Sequence, residues 1–338
     1  MSNKEKHAFI TGATGFVGGA LAEKLTADGW TVTALVRPQS DTARLSALDV
    51  SLAFGDVCQP EGLAEAMSGA NVVFHCAALT GVGHRSADIH RVIAQGTNNL
   101  LDAACKSGIQ RFVYVSSVAV YELSDAGVCD EQHALLSSSI DPYAQAKIAA
   151  EKACLEACHV GQLETTIVRP VFIYGPGDRR GGFLPELVKM ISNGKFKLIG
   201  GGHNRVPLVY ITDLVDMLLL CAIRQESVGQ VYNVCSNHSP TWQELVTALC
   251  AEFHLTQPAT VPTGLVKSAA GLLEILAKAK LLKTLPVSKT AAQLLSGDFQ
   301  FPIDKAARDL AYTPKVSFPE GFSTTLPSLK SLRNSGEC

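Results

Sequence analysis

The chain has 338 residues, 47% of them hydrophobic, enough to bury a large core as one big α/β domain or a domain and a half. A formal net charge of −2, with no basic stripe or charge block, argues against nucleic acid and anionic membrane surfaces as partners. Residues 1–6 lack the apolar run of a signal peptide, and no apolar stretch reaches the ~20 residues of a membrane helix. The 10 cysteines are scattered through apolar segments with no Cys-x-x-Cys pair, so a reducing, cytoplasmic compartment and no metal centre are expected. Cys154 and Cys158 fall one helical turn apart, a spacing open to a metal or redox role but read first as two small core or surface thiols.

Residues 7–11 form a short apolar run that ends in the spacing Gly12-x-x-Gly15-x-x-Gly18. A helical pattern follows at once, with Phe16, Val17, Ala20, Leu21 and Leu25 on one face. Gly12 permits a tight turn, Gly15 lets a phosphate approach the backbone, and Gly18 lets the helix pack closely on the strand. The pyrophosphate of a dinucleotide can then rest on the free N–H groups at the helix start. An ordinary glycine turn is the plainer alternative, but the motif requires this placement between strand and helix.

Residues 31–36 read as the second strand, with Arg37 at its end, where an NAD-binding chain usually carries an acid on the ribose 2′-hydroxyl. Residues 34–40 contain no acid. A guanidinium there suits a 2′-phosphate, because it offers a planar fork of donors and a permanent charge. NADP(H) is therefore the preferred cofactor. NAD(H) is the alternative, with Arg37 solvated and Asp41 turned to the hydroxyl.

A third strand over 50–54 ends in Gly55, Asp56 and Val57, and a helix is expected over 61–68. The strand at 71–75 closes with Cys76, Ala77 and Ala78, small residues against which a flat ring can lie. His75 is an acid or base candidate in principle, and more plainly a hydrogen-bonded core histidine. A helix over 86–106 contains Gly96, Thr97, Asn98 and Asn99, and feeds a strand at 111–115 that ends in Ser116 and Ser117. This alternation predicts a parallel sheet covered on both faces, with ligands at the carboxyl ends of its strands, where Gly12, Arg37, Asp56, Ala77 and Ser117 lie.

Asp141 is a good N-cap and Pro142 a good first helical residue, which places Tyr143 and Lys147 on one face of the helix they open. A phenol of ordinary pKa near 10 is only about one part in a thousand ionised at neutral pH. A neighbouring ammonium and the charge of an oxidised nicotinamide are expected to lower that pKa. Tyr143 then exchanges a proton with a carbinol or carbonyl as hydride moves, and Ser117 hydrogen-bonds the same oxygen. Ser116 is expected on the opposite face, since side chains alternate along a strand.

In these stretches the chain resembles an extended short-chain dehydrogenase/reductase, the superfamily of NAD(P)-dependent epimerases, dehydratases and 3β-hydroxysteroid dehydrogenases. The likeness also takes in Val115 to Tyr121, Arg169-Pro170-Val171-Phe172-Ile173-Tyr174-Gly175-Pro176-Gly177-Asp178, Val209 to Leu214 and Gly229 to Val234. It runs over residues 7–325 and implies a Rossmann-type doubly wound parallel sheet with a smaller C-terminal substrate lobe. Residues 1–175 would be the NAD(P)-binding domain, rejoined by 206–235, with 176–205 and 236–330 forming the lobe. The resemblance implies Ser117, Tyr143 and Lys147 as the catalytic triad. It sets Asp56 and Val57 beside the adenine, Ala77 and Ala78 along the cofactor channel, and Tyr143 and Lys147 at the nicotinamide ribose. Gly12, Thr14, Gly15, Phe16, Val17, Gly18, Arg37 and Pro170 complete the implied cofactor site. Relatives are commonly homodimers through a helix pair near Tyr143. One departure is Ile93, where the family commonly has Asn; no fourth catalytic residue is named, although Asn98 or Asn99 can touch the cofactor.

In the second half, a sixth strand over 165–169 precedes Arg179, Arg180, Gly181 and Gly182, a basic loop suited to an anionic substrate or simply solvated. A helix over 184–193 and a turn at Gly200-Gly201-Gly202-His203 follow, and Asp213 caps or anchors a helix running to Arg224. Leu265, Ala269, Leu272, Leu276 and Ala279 repeat at helical spacing, a stripe that is usually core but also suits an apolar channel or a bilayer surface. Three functions compete. The first is interconversion of a secondary alcohol and a ketone on a bulky, largely apolar substrate, as in 3β-hydroxysteroid dehydrogenases and dihydroflavonol reductases. The second is nucleotide-sugar epimerisation or dehydration, and the third a non-catalytic NADP-binding sensor. The intact Ser117, Tyr143 and Lys147 argue against the sensor. Phe172 and Val206-Pro207 stand where sugar-nucleotide relatives typically carry polar groups, which favours the apolar carbinol or ketone.

Overall fold

The computed structural model describes residues 6–80, 83–123, 126–137, 141–179, 181–264 and 289–335. Its strands in chain order are β1 (His7–Thr11), β2 (Thr31–Val36), β3 (Ser51–Phe54), β4 (Val72–His75), β5 (Arg111–Val115), β6 (Ala126–Val128) and β7 (Glu164–Pro170). There follow β8 (Phe172–Tyr174), β9 (Leu198–Ile199), β10 (Leu208–Tyr210), β11 (Val231–Val234), β12 (Thr260–Val261) and β13 (Asp298–Gln300). Seven of them make one sheet in the order β11-β7-β5-β4-β1-β2-β3, every pair parallel. The order reverses beside β1, the crevice where open α/β sheets bind ligands. Smaller parallel pairs join β8 to β10, β9 to β12 and β6 to β13.

Alternation along the strands sends side chains into two cores. Ala8 and Ile10 of β1, with Val113 and Val115 of β5, face one layer, packed by Leu21 and Leu25 of α1 (Phe16–Ala27). Phe9, Phe112 and Tyr114 face the other. The first layer also holds α2 (Ala43–Ser46) through Leu45, while the second has α3 (Leu63–Ala66) at its margin and α4 (Ser86–His90), α5 (Gly96–Lys106) and α6 (Pro142–His159) across it. A third core gathers α7 (Phe183–Ser192), the start of α8 (Ile211–Ile223), α9 (Trp242–Phe253) and the helix Phe318–Asn334 around Trp242, Leu184, Leu245 and Phe322. This is the Rossmann-like doubly wound architecture expected of alternating strands and helices, with the central strands of the sheet buried on both faces.

Two helices differ from expectation. The helix anticipated over 61–68 contracts to α3, because Gly62 takes φ +78 and cannot belong to a right-handed turn. The helix anticipated over 86–106 is widened into a π turn at Arg91–Gln95, directly before Gly96 packs on Val57. The apolar stripe at 265–283 lies outside the described residues. Among those described, no helix is long and apolar enough to cross a membrane.

Candidate active site

The carboxyl ends of β1, β2, β4 and β5 finish level, since Thr11 pairs with both Leu35 and His75, and His75 with Tyr114. Above Thr11 the chain turns sharply. Gly12 has φ +73, and a Cβ added there would lie 2.7 Å from the Ala77 nitrogen, so the turn after β1 presses on the turn after β4. Gly18 is equally confined: an added Cβ would lie 2.7 Å from the Gly12 carbonyl carbon, which is how the first turn of α1 comes to rest on the loop. Gly15 is the N-cap of α1, with no side-chain cap and no acid in the first turn. The leading N–H groups and the positive end of the helix dipole therefore meet no anion from the chain's own first turn. Thr14, Phe16 and Val17 stand half-buried around them. An uncapped helix start behind a glycine cradle fits a pyrophosphate.

Around this cradle the expected cofactor residues divide into free and engaged groups. Arg37 is exposed at the end of β2. Asp41 accepts from the Ala43 N–H at 3.0 Å through one carboxylate oxygen, holding the start of α2. Asp56 accepts from the Cys58 N–H at 2.9 Å, and Asn99 donates its amide to the Val57 carbonyl at 2.9 Å. Asn99 thus braces the Val57 loop, while Asn98 is exposed. Ala77 and Ala78 are half-buried, and the Ala77 N–H donates to Thr11 Oγ1 at 3.3 Å. Pro170 is buried at the end of β7, opposite Val234. His75 lies between Thr11 (2.7 Å) and Thr97 (3.0 Å), and burial, with Lys147 nearby, pushes its pKa down to about 3. It is a satisfied, neutral core histidine. Arg44, which sequence reading passed over, pairs with Glu23 at 2.7 and 2.9 Å and lies so close that a Cβ on Gly19 would fall 2.8 Å from its Nη1.

Asp141 caps α6 through the N–H groups of Tyr143 (3.0 Å) and Ala144 (3.3 Å), with Pro142 in the first turn. That cap aims Tyr143 and Lys147 at the end of β5. The Lys147 ammonium donates to the Val115 carbonyl at 2.7 Å and sits 4.8 Å from the Tyr114 ring centroid and 5.8 Å from that of Tyr143. Ser117 opens a short 3-10 turn, Val118–Val120, its Oγ accepting from the Ala119 N–H at 3.2 Å, and its hydroxyl lies near enough to the Tyr143 phenol to favour the ionised form. Ser116 turns the other way and donates to Glu151 at 2.5 Å. The structure therefore brings Ser117, Tyr143 and Lys147 together and excludes Ser116.

Without the nicotinamide charge, burial outweighs the favourable influence of Ser117 and, with the charge of Asp141, pushes the Tyr143 phenol up to about 12. The ammonium lies toward the tyrosine ring and so does not offset this. Lys147, 2% exposed, is pulled down to about 8 by burial, against the opposing charge of Glu151. At neutral pH the resting site holds a protonated phenol above a largely charged lysine.

Beyond the sheet edge, Phe172 stacks on Phe183 with centroids 4.5 Å apart, and Trp242 meets both edge-on. Asp178, buried in the following loop, accepts from the Arg179 N–H at 3.0 Å, and burial raises its carboxyl to about 7. Arg179 is exposed, and Arg180 lies outside the described residues. Asp213 proves to be an anchor and not a cap: it accepts from the N–H groups of Lys315 (2.9 Å) and Val316 (3.3 Å). Cys154 is buried and Cys158 half-buried, both as free thiols. Among the described residues no group of three His, Cys, Asp or Glu side chains could hold a metal.

The profile of the NAD dependent epimerase/dehydratase family matches residues 8–235. A 4-hydroxy-2-methyl-3-oxo-4-farnesyl-3,4-dihydroquinoline-1-oxide ketoreductase of Stigmatella aurantiaca is 32% identical over 93% of this chain and 94% of its own length. A decarboxylating sterol-4-alpha-carboxylate 3-dehydrogenase of Mus musculus is 27% identical over 98% of this chain and 93% of its own. The same fold is found in the dTDP-glucose 4,6-dehydratase DesIV of Streptomyces venezuelae, solved with NAD bound, at TM-score 0.77 and 23% identity over 97% of this chain and 98% of that one. The chain belongs to the NAD dependent epimerase/dehydratase family, and is an NAD(P)-dependent oxidoreductase of the short-chain dehydrogenase/reductase kind.

Proposed function

We propose that the chain reduces a ketone to a secondary alcohol on a bulky, largely apolar substrate, with NADPH as the preferred donor. The observation that carries this reading is the placing of Tyr143 by the Asp141 cap, beside Lys147 and next to Ser117, at the carboxyl edge of the sheet. The dinucleotide, when bound, supplies the hydride. The chain's own groups do the rest. The uncapped start of α1, with Gly12, Gly15 and Gly18, receives the pyrophosphate, and Lys147 and Tyr143 hold the nicotinamide ribose. Ser117 orients the substrate oxygen, and Tyr143 gives it a proton as negative charge develops there. A phenol that starts protonated is poised for reduction; oxidation would first require its ionisation, which burial opposes. Lys147, held by the Val115 carbonyl, keeps its ammonium on the ring side of Tyr143, where it anchors the ribose.

Two features support the substrate class. Phe172 and Val206-Pro207 stand at sequence positions where sugar-nucleotide relatives typically carry polar groups, Phe172 stacks on Phe183, and apolar lining favours an apolar ligand. The names of the ketoreductase and sterol relatives describe substrates of that character. For the cofactor, the support is Arg37, exposed at the end of β2.

The test is an NADPH-oxidation screen of hydrophobic ketones run beside UDP- and dTDP-sugars with product analysis. Ketone-dependent oxidation is expected; turnover of a sugar nucleotide with no ketone reduced would overturn the reading. In the same assay NADPH should bind more tightly than NADH by about 10- to 100-fold, the worth of a charge-assisted hydrogen bond. Arg37→Ala should erase most of that gap by weakening NADPH alone. Equal affinities in the native protein would refute the NADP assignment.

A further inference from the structure

Along α6, Lys147 follows Tyr143 by one helical turn and Glu151 follows Lys147 by another, so the three side chains stack on one inward face. Glu151 is 1% exposed, yet its carboxylate is fully engaged. Arg169 of β7 grips both oxygens, Nε at 2.9 Å and Nη2 at 2.6 Å, and Ser116 donates to the first of them at 2.5 Å. Arg169 is held in turn over the Tyr121 ring, 4.8 Å from its centroid.

The end of β5 connects this pair to the reaction site. Val115 accepts from the Lys147 ammonium through its carbonyl, Ser116 donates its hydroxyl to Glu151, and Ser117 lies beside the Tyr143 phenol. Three successive residues thus reach the three members of the helical stack, although not in the order of the helix. Stability alone gives a weak reason for such an arrangement, since buried ion pairs are often replaceable by apolar residues at little cost. The other groups facing Lys147 carry no negative charge at neutral pH. They are the Tyr114 ring from β5, the neutral His75 of β4, the Cys76 thiol beyond it, and Cys154 and Tyr143 on α6 itself. Glu151 is the one carboxylate among the described residues that acts on Lys147.

We infer that Glu151, clamped by Arg169 and Ser116, is a positioning residue that keeps Lys147 an ammonium beside the Tyr143 phenol, making the proton-handling unit a stack of three. This rests on the roles proposed above for Tyr143 and Lys147. Burial alone would discharge the lysine, and the carboxylate one turn away opposes that.

The test follows the Lys147 side chain directly by carbon NMR of protein labelled at the lysine ε-carbon, the resonance being assigned by its loss in Lys147→Arg. The native midpoint is expected near pH 8. In Glu151→Gln it should fall by about one unit, a tenfold loss of proton affinity. Because that change leaves Arg169 unpaired, Glu151→Gln/Arg169→Gln is measured beside it and should fall similarly, while Glu151→Asp should stay near the native value. An unchanged midpoint in the folded double variant overturns the inference. In parallel, the alkaline limb of kcat for ketone reduction should move down by the same amount, with KM little altered. If the native protein reduces no ketone but the Lys147 midpoint still follows Glu151, the functional reading falls and the inference stands.

Discussion

Tyr143→Phe is expected to lower kcat for ketone reduction by about a thousandfold or more, within the range that a positioned proton donor contributes. Dinucleotide affinity should stay within about twofold, because one hydrogen bond to a ribose contributes little beside the pyrophosphate cradle. The substitution is structurally mild. Asp141 caps α6 through backbone N–H groups, which the variant keeps, and a phenyl ring still lies beside Lys147. Only the hydroxyl goes, and with it the proton that neutralises the developing alkoxide. Ser117 retains its hydroxyl and would account for any residual rate. Single-turnover NADPH oxidation, with binding followed separately by fluorescence, resolves the two effects. Activity within tenfold of the native enzyme would mean that another group supplies the proton.

What could be seen in the sequence was whatever depends on neighbours along the chain. The Gly12, Gly15 and Gly18 spacing was legible because a positive φ and contact of backbone on backbone leave few residue choices. The Asp141–Pro142 start and the spacing of Tyr143 and Lys147 were legible because one helical turn decides which side chains share a face. Ser117 could be preferred to Ser116 from strand alternation, and the structure sends Ser116 to Glu151 as that argument requires. What depends on tertiary burial was not visible. Spacing shows the lysine beside the phenol but not how far burial opposes ionisation, and in the absence of the nicotinamide charge burial raises the phenol's pKa. Glu151 lay in view one turn past Lys147, but its partner comes from β7 across a loop and strand, so the pair reads as two unrelated charges. Arg44 lies within a helix too short to show any periodicity. Asp213 resembled a cap because its partners, Lys315 and Val316, are remote in sequence.

The second large effect is on stability. Arg169→Leu should destabilise the fold by about 3–5 kcal/mol, the range for removing one partner of a buried ion pair. Arg169 is 3% exposed and Glu151 1%, so the abandoned carboxylate has no route to water. A lone buried carboxyl escapes by taking up a proton, so its folded-state pKa rises above the unfolded value. The sign follows: the folded variant binds more protons than the unfolded chain, and its stability falls as pH rises through the glutamate range. The defect should therefore be smaller in mildly acidic urea titrations than in neutral ones. Glu151→Leu/Arg169→Leu removes both charges and should recover most of the loss, because the penalty belongs to the unpaired group and not to the absence of the pair. If the double variant were as unstable as the single one, with no pH dependence separating them, the damage would lie in the packing of Arg169 on Tyr121 instead. Recovery of stability without recovery of the Lys147 midpoint would separate the two parts played by Glu151: its charge acts on the lysine, whereas the fold requires only that this charge never be left alone.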